Sequence, residues 1–240
     1  MKRMKKGELR KEAILRTAEK LFFERGYAET SIQDILDALS ISKGGFYHYF
    51  DSKNALLEEI CRQRGARELE RLRGELYSGK LDAAQRLNLI LGALNLFRRE
   101  EPRYAALVLK VSYIDGDVHF RDQMRRFMLE GLRPMVDDVL REGMAQGVFF
   151  TRHPGRLGGL LLMLGSDVND EACRLLTSAL EEPECVIEIM DLLDAYRESV
   201  ESLCGAPYGS ILLFDVEQMM NAFRQTTGEL NLLREKGLSI

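Results

Sequence analysis

The sequence is poor in several features that would indicate a particular class of protein. It has no tryptophan and 5 prolines in 240 residues, and Pro102 is the first of them, so no proline interrupts a helix before that position. The longest glycine-rich apolar run, LGGLLLMLG at 157–165, is far shorter than the roughly 20 residues of a membrane span. The basic start leads into an amphipathic pattern and not into an apolar signal segment. We therefore expect a cytoplasmic protein with no membrane partner.

Metal-binding and disulfide patterns are also missing. The 4 cysteines, at positions 61, 173, 185 and 204, form no CxxC pair, and none lies at ligand spacing from the 3 histidines at 48, 119 and 153. Reduced thiols in a cytosolic protein fit this pattern best. The sequence thus predicts neither a metal site nor a cofactor.

Catalytic motifs are absent as well, with one partial exception. The stretch GELYSGKL at 74–81 resembles the phosphate-binding loop GxxxxGK[ST], but Leu81 stands where the magnesium-binding hydroxyl belongs, and no strand precedes it. GxSxG, GxGxxG and HExxH do not occur. We expect no enzymatic activity. An enzyme and a helical adaptor without DNA binding remain as the alternatives to the function inferred below.

Hydrophobic spacing predicts an all-α protein. In the first segment Ile14, Ala18, Leu21 and Phe22 fall on one helical face, and Gly26 ends it. A second, short helix follows a Thr30-Ser31 cap, a third starts after Ser42, and a fourth spans about 53–73. Further helices are predicted near 81–100, 102–115, 119–146, 155–178, 183–204 and 209–234.

Charge is distributed unevenly along the chain. Residues 1–65 hold 13 Lys/Arg and 10 Asp/Glu, a net of +3, so the rest carries −4 − 3 = −7. Six of the first eleven residues are basic: Lys2, Arg3, Lys5, Lys6, Arg10 and Lys11. A basic arm on an acidic body indicates an anionic partner at one end of the protein.

The stretch SISKGGFYHYFDSK, 40–53, places two glycines at the head of an aromatic helix. Two short helices joined by a three-residue turn form a helix-turn-helix, whose second helix enters the DNA major groove by its N-terminal end. Glycine at that end lets the backbone approach where a side chain would collide, and free N–H groups there point at phosphates. Gly44 and Gly45 are therefore interpreted as the tip of a DNA-recognition helix.

The run TSIQDILDALSISKGGFYHYFDSKNALL, 30–57, resembles the N-terminal domain of the tetracycline-repressor (TetR) family, as does the preceding LFFERGYAETS at 21–31. The resemblance implies a DNA-binding domain at 8–68, with the helix-turn-helix at about 31–50, and an effector-binding and dimerisation domain at 75–240. It implies a sequence-specific transcriptional regulator, an effector-released repressor that binds a palindromic operator as a homodimer. The family commonly has glycine where this chain has Ser40, so a left-handed Ser40 would cost about 1–2 kcal/mol.

The same resemblance assigns roles to individual residues. The DNA-reading surface would comprise Ser42, Lys43, Gly44, Gly45, Tyr47 and His48. Thr30 or Ser31, together with Lys53, would grip backbone phosphates at its edges. Lys43 either joins these phosphate contacts or reaches guanine O6/N7.

The second half offers candidates for the effector pocket and the dimer interface. The family resemblance implies a pocket between the central helices, and the candidates for it are Phe97, Tyr104, Tyr113, Phe120, Met124, Phe127, Met128 and Met163. Dimer contacts are expected from the late helices, where Gly155, Gly158 and Gly159 allow close approach and 160–164 is apolar. The segment 181–204 carries eight acids and one base, so its charged face must be solvated or paired with basic residues of a partner.

Overall fold

A computed structural model describes residues 6–94, 102–178, 185–213 and 216–235, and this part of the chain consists of helices and connecting turns without strands. The helices are α1 (Lys6–Arg25), α2 (Ile32–Leu39), α3 (Lys43–Tyr47), α4 (Lys53–Leu76), α5 (Ala83–Gly92), α6 (Pro102–Leu109), α7 (Val118–Ala145), α8 (Pro154–Ser178), α9 (Cys185–Cys204) and α10 (Val216–Glu235). A π-helical segment, Lys110–Ile114, continues α6. The all-α prediction is confirmed. Within the described ranges, no helix is both long and apolar enough to cross a membrane.

Serine side chains fix the starts of the helices around the turn. Ser31 forms a capping box with Asp34, Ser42 Oγ accepts a hydrogen bond from Gly45 N, and Ser52 Oγ accepts one from Ala55 N. Each cap satisfies an N–H group that has no partner inside its own helix. Ser40 closes α2 with φ 52° and ψ 46°, the left-handed conformation considered from the sequence.

The first core holds α1 to α4 together. Its buried side chains include Ile14, Phe22, Ile35, Phe46 and Leu57. The same cluster also contains Tyr104 and Leu107 of α6, Val111 of the π-helical segment and Phe120 of α7. The body of the protein therefore contributes apolar side chains directly to the core beneath the helix-turn-helix.

A second core is built by α5, α7, α8, α9 and the segment that follows α9. The predicted helix at 209–234 is wrong at its start, because Gly209 is left-handed and 210–213 is not helical. Ile211 and Leu213 are instead buried in this core, on either side of an exposed Leu212. The C-terminal helix α10 begins at Val216 and packs along α6. The predicted helix at 81–100 is wrong beyond Gly92, where α5 ends and residues 93–94 form a turn, and residues 95–100 lie outside the described residues.

Candidate nucleic-acid interface and internal cavity

The start of α2 is rigidly organised by Ser31 and Asp34. Ser31 Oγ accepts a 3.1 Å hydrogen bond from Asp34 N, and Ser31 N donates a 2.8 Å bond to Asp34 Oδ2. The hydroxyl hydrogen bond from Ser31 lowers the pKa of the Asp34 carboxyl. Arg25 lies 3.4 Å from the other carboxylate oxygen. This network holds α2 against the end of α1 and leaves Ser31 on the surface.

The tip of α3 projects into solvent. Lys43, Gly44, Tyr47 and His48 are exposed, and a β-carbon built on Gly44 would have nothing within 4 Å. Phe46 is fully buried one residue before Tyr47, and the two rings meet edge to face at 5.4 Å. The buried ring thus anchors the helix while its glycine tip and polar side chains remain reachable by a duplex.

The structure places one further cation, Arg10, beside the tip of α3. The sequence indicates Arg10 only as one member of the basic N-terminal arm. A β-carbon built on Gly45 would lie 3.8 Å from a guanidinium nitrogen of Arg10 in α1. One built on Gly7 would lie 3.5 Å from the Tyr49 hydroxyl, so the first turns of α1 run beside α3. Arg10 is exposed and forms no hydrogen bond or ion pair with any described residue. Lys11, by contrast, is paired with Glu59 at 2.9 Å.

Thr30 has a different role from the one predicted. Its side chain is fully buried, and its hydroxyl donates to the Gly26 carbonyl at 2.8 Å and approaches the Leu21 carbonyl at 3.3 Å. The structure contradicts its assignment to the DNA-contacting surface, because a buried hydroxyl bonded to its own backbone cannot reach a phosphate. Of the two alternatives, Ser31 remains.

Two of the three ammonium donors of Lys53 are used within the DNA-binding domain itself. Its ammonium donates to the carbonyls of Tyr27 at 2.8 Å and Ala28 at 3.2 Å. Burial lowers the pKa of this ammonium, opposed by the nearby Glu29 carboxylate. An ammonium has three donors, so one remains available for an external acceptor.

A cavity of about 120 Å³ lies between α4, α6, α7 and α8. Five of the predicted effector residues line it: Tyr104, Tyr113, Met124, Phe127 and Met128. Phe120 does not, because its side chain is fully buried in the core beneath the helix-turn-helix. Met163 does not either, because it is 60% exposed on the outer face of α8. Phe97 lies outside the described residues.

The cavity has a polar end that the sequence did not reveal. The Tyr113 hydroxyl donates a 2.8 Å hydrogen bond to Asp170 Oδ1, and Arg121 Nε lies 3.5 Å from the same oxygen. The thiol of Cys173 also lines the cavity, and burial raises its pKa to about 12. These residues come from the π-helical segment, α7 and α8, so no local sequence pattern connects them.

The cavity touches the core of the helix-turn-helix. Tyr104 lines the cavity and is part of that core, while Val108 and Met124 line the cavity and pack against it. Any group that fills the cavity contacts the side chains on which α1 to α4 rest. The cavity and the core of the helix-turn-helix domain therefore lie on opposite sides of the same side chains.

The glycines predicted to serve a dimer interface are used differently. A β-carbon on Gly158 would overlap Asp137, and one on Gly159 would overlap Arg133, both in α7. Gly158 therefore brings α8 close to α7 of the same chain, and the Arg133 guanidinium lies over Gly159. Both glycines face α7 of their own chain, which corrects the intermolecular role predicted for them. Gly155 has open space around it. On the outer surface Leu160 and Met163 of α8 and Ile187 of α9 are exposed.

Comparison with known proteins agrees with this geometry. The family described as "Bacterial regulatory proteins, tetR family" matches residues 14–60, which run from within α1 to within α4. The HTH-type transcriptional repressor KstR2 of Mycolicibacterium smegmatis is 32% identical over 146 residues, covering 58% of this chain and 67% of that protein. Two other curated relatives match over 51 and 52 residues only, 24% and 18% of their own length.

Solved structures share the fold. A TetR-family transcriptional regulator from Pectobacterium atrosepticum has a TM-score of 0.59 at 21% identity, covering 85% of this chain and all of that one. FadR from Bacillus subtilis, solved in complex with stearoyl-CoA, has a TM-score of 0.53 at 18% identity, covering 77% and 96%. A helix-turn-helix at the N-terminus of an all-helical body defines a regulatory protein class. The chain belongs to the tetR family of bacterial regulatory proteins.

Proposed function

We propose that this protein is a sequence-specific DNA-binding transcriptional regulator, a repressor that binds a palindromic operator as a homodimer and is released by a small effector. The observation that carries the proposal is the exposed tip of α3, where Gly44 leaves the backbone uncovered next to Lys43, Tyr47 and His48. The membership in the tetR family supports it.

In this proposal the α3 tip enters the major groove. Ser42, Lys43, Gly44, Gly45, Tyr47 and His48 form the reading surface, and their hydroxyl, ammonium and backbone donors suit phosphate oxygens and base edges. Ser31 and the free donor of Lys53 contact phosphates at its edges. Arg10 adds a guanidinium beside Gly45 that pairs with no residue in the described part of the chain.

Dimerisation uses the outer face of α8 and α9, where Leu160, Met163 and Ile187 are exposed. In a two-fold dimer, each α3 would enter one major groove, the two separated by about one DNA turn, ~34–36 Å, or a multiple of it. A palindromic operator follows from that symmetry.

The effector site is the cavity lined by Tyr104, Tyr113 and Met124. A ligand there presses on side chains that also support the helix-turn-helix core, which couples the two sites. Since coupling between two binding sites is reciprocal, operator DNA must weaken effector binding by the same factor. FadR from Bacillus subtilis, a protein of this fold, is solved in complex with stearoyl-CoA, which supports the proposal that a protein of this architecture responds to an effector.

The test begins with selection of random double-stranded DNA by the purified protein, followed by sequencing. A palindrome with half-sites about one turn apart is expected. Gly44→Leu places a side chain at the tip and should lower operator affinity more than about tenfold, or 1.4 kcal/mol. Gly74→Leu is the matched control, because Gly74 is a helical glycine of α4 that also has open space around it.

The alternatives give different results. A helical adaptor without DNA binding would show no sequence selection and no salt-dependent affinity, whereas a binder loses about one log unit of affinity per log unit of salt for each neutralised phosphate. Unchanged operator affinity of Gly44→Leu would contradict the placement of α3. We infer no catalytic activity, in keeping with the relatives that are named transcriptional regulators.

A further inference from the structure

We propose that the cavity between α4, α6, α7 and α8 binds an uncharged molecule about the size of one aromatic ring, carrying a single hydrogen-bonding group. This inference rests on the proposed function for the consequence of binding, because the molecule would be the effector. The binding itself is a property of the cavity and can be measured without DNA.

Size is the first argument. A cavity of about 120 Å³ is slightly smaller than the apolar cavity of about 150 Å³ that holds benzene in another protein. Gly65 helps to set this limit, because a β-carbon on it would lie 2.7 Å from the Phe127 ring. Helix α4 therefore runs against that ring, so a larger ligand could not extend between α4 and α7 without moving these two helices apart.

The lining selects a polarisable, flat ligand. Tyr104, Tyr113 and Phe127 supply rings, and Met124, Met128 and Cys173 supply sulfur. Thioether sulfur makes favourable contacts with aromatic rings, and offset or edge-on ring pairs are favourable as well. Because burial raises the pKa of the Cys173 thiol to about 12, little thiolate is present at neutral pH, which favours reversible binding over covalent capture.

Charge is the deciding argument. Three charged residues line the cavity, and each is already paired. Arg121 lies 3.5 Å from Asp170, while Arg125 lies 3.3 Å from Asp122 and 3.7 Å from Asp167. An anionic ligand would compete with these aspartates for the arginines, and a cationic ligand would compete with the arginines for Asp170. An uncharged ligand leaves every pair intact and avoids burying an unpaired charge.

Neutral hydrogen-bonding groups complete the site. Ser112 and Ser166 line the cavity with hydroxyl groups and are almost fully buried. A hydroxyl both donates and accepts, so it serves an alcohol, a phenol or a carbonyl equally well. The single polar group of the ligand would lie towards this side of the cavity.

Three probes of equal size and different charge test the proposal: benzyl alcohol, benzoate and benzylamine, which is an ammonium ion at neutral pH. Calorimetric titration into the full-length protein should show binding of benzyl alcohol at least about tenfold tighter than that of either ion. Tighter binding of benzoate or benzylamine would overturn the charge assignment. Binding of none of the three would overturn the assignment of ligand size and ring character.

The variant Asp170→Asn sharpens the test. It keeps a carbonyl oxygen as acceptor for Tyr113 but removes the charge that neutralises Arg121, so benzoate should gain at least about tenfold in affinity while benzyl alcohol changes little. Glu130→Gln, an exposed acid-to-amide change on α7, is the control and should leave all three affinities unchanged. Wild-type ranking of the probes decides the charge question even if Asp170→Asn does not fold.

Failure of this inference and failure of the proposed function are separable. Binding of benzyl alcohol by a protein that selects no DNA sequence would leave the cavity assignment standing and refute the regulator. Operator binding by a protein whose cavity prefers benzoate or benzylamine would support the regulator and refute the assignment of an uncharged ligand. Release of operator DNA by benzyl alcohol is expected when both hold.

Discussion

The ammonium of Lys53 lies 2.8 Å from the carbonyl oxygen of Tyr27 and 4.4 Å from the centre of the Tyr27 ring. The first residue of α4 is thereby tied to the segment between α1 and α2. The Tyr27 ring also packs edge to face on the buried ring of Phe22, at 5.1 Å. One cation thus ties α4 to the connection between α1 and α2 and, through the Tyr27 ring, to Phe22 of α1, in addition to any contact it makes with DNA.

Replacing Lys53 by methionine should separate these two roles. Lys53→Met loses two charge-assisted hydrogen bonds at a partly exposed site, so the free energy of unfolding should fall by about 1–2 kcal/mol. Urea unfolding followed by circular dichroism measures this change. Lys43→Met is the control, because Lys43 is exposed at the α3 tip and should lose DNA affinity with a stability change within about 0.5 kcal/mol. Equal stability of both variants would mean that the Lys53 contacts contribute nothing.

Arg10 should contribute to DNA binding through its position beside Gly45. Arg10→Ala should weaken operator binding and reduce the slope of log affinity against log salt by about 1, as expected for one lost phosphate contact. A loss confined to one operator position, with the salt slope unchanged, would instead identify a base contact. Arg16→Ala on the same helix, where Arg16 faces Glu12, should leave binding unchanged. Unaltered binding by Arg10→Ala would exclude Arg10 from the interface.

Ser40 should be a site of conformational strain. A non-glycine residue in the left-handed region costs about 1–2 kcal/mol, and glycine recovers part of that cost, so Ser40→Gly should raise the free energy of unfolding by about 0.5–1 kcal/mol. Ser40→Ala keeps a β-carbon and should not show this gain. Thermal and urea unfolding compare the two variants, and a less stable glycine variant would contradict the expected strain.

Glu59 should make stability depend on pH. The hydrogen bond from Arg62 lowers the pKa of the Glu59 carboxyl to about 2, aided by the hydrogen bond from Lys11 and opposed by burial. The folded pKa is below the unfolded value of about 4.3, so this carboxylate stabilises the fold above about pH 4.3, and the contribution is lost as pH falls towards 2. Glu59→Gln should therefore destabilise the protein by about 1–2 kcal/mol at neutral pH, after allowance for solvent screening.

The pH series provides the control for that prediction. The difference in unfolding free energy between wild type and Glu59→Gln should shrink between about pH 5 and about pH 2, because the unfolded carboxyl takes up its proton near pH 4.3 while the folded one stays ionised down to about pH 2. A difference that stays constant would assign the destabilisation to packing and not to charge. Glu70→Gln, at an exposed position of α4, should show no such dependence.

The helix-turn-helix could be predicted from sequence because its signals are local. A serine three residues before its capping partner, two glycines at a helix start and aromatic residues at helical spacing all lie within a few positions of one another. Ser31 and Ser42 cap their helices as these patterns require. Thr30 was misassigned because its sequence neighbours are the same as those of Ser31, whereas its burial depends on contacts with α1 that lie nine residues away.

The cavity could be predicted only in part. Some of the aromatic and methionine residues predicted for the effector pocket line the cavity, because their helix faces turn inward. Phe120 and Met163 are of the same residue types but face elsewhere. The pairing of Tyr113 with Asp170 spans 57 positions, and that of Arg121 with Asp170 spans 170 − 121 = 49. Such contacts depend on how whole helices pack, which residue spacing does not encode. The same reason explains why Gly158 and Gly159 were assigned to another chain when they in fact pack against α7.

The contribution of α6 and α7 to the first core has a practical consequence for protein engineering. A hybrid regulator made by joining residues 1–76 to the body of a different family member would have to find foreign side chains that reproduce the shapes of Tyr104, Leu107, Val111 and Phe120. A recombination point after Phe120 keeps all four side chains together with the DNA-binding helices α1 to α4. A recombination point at the end of α4 separates these helices from the side chains that complete their core. Modular exchange of specificity between these proteins therefore depends on where the splice is made.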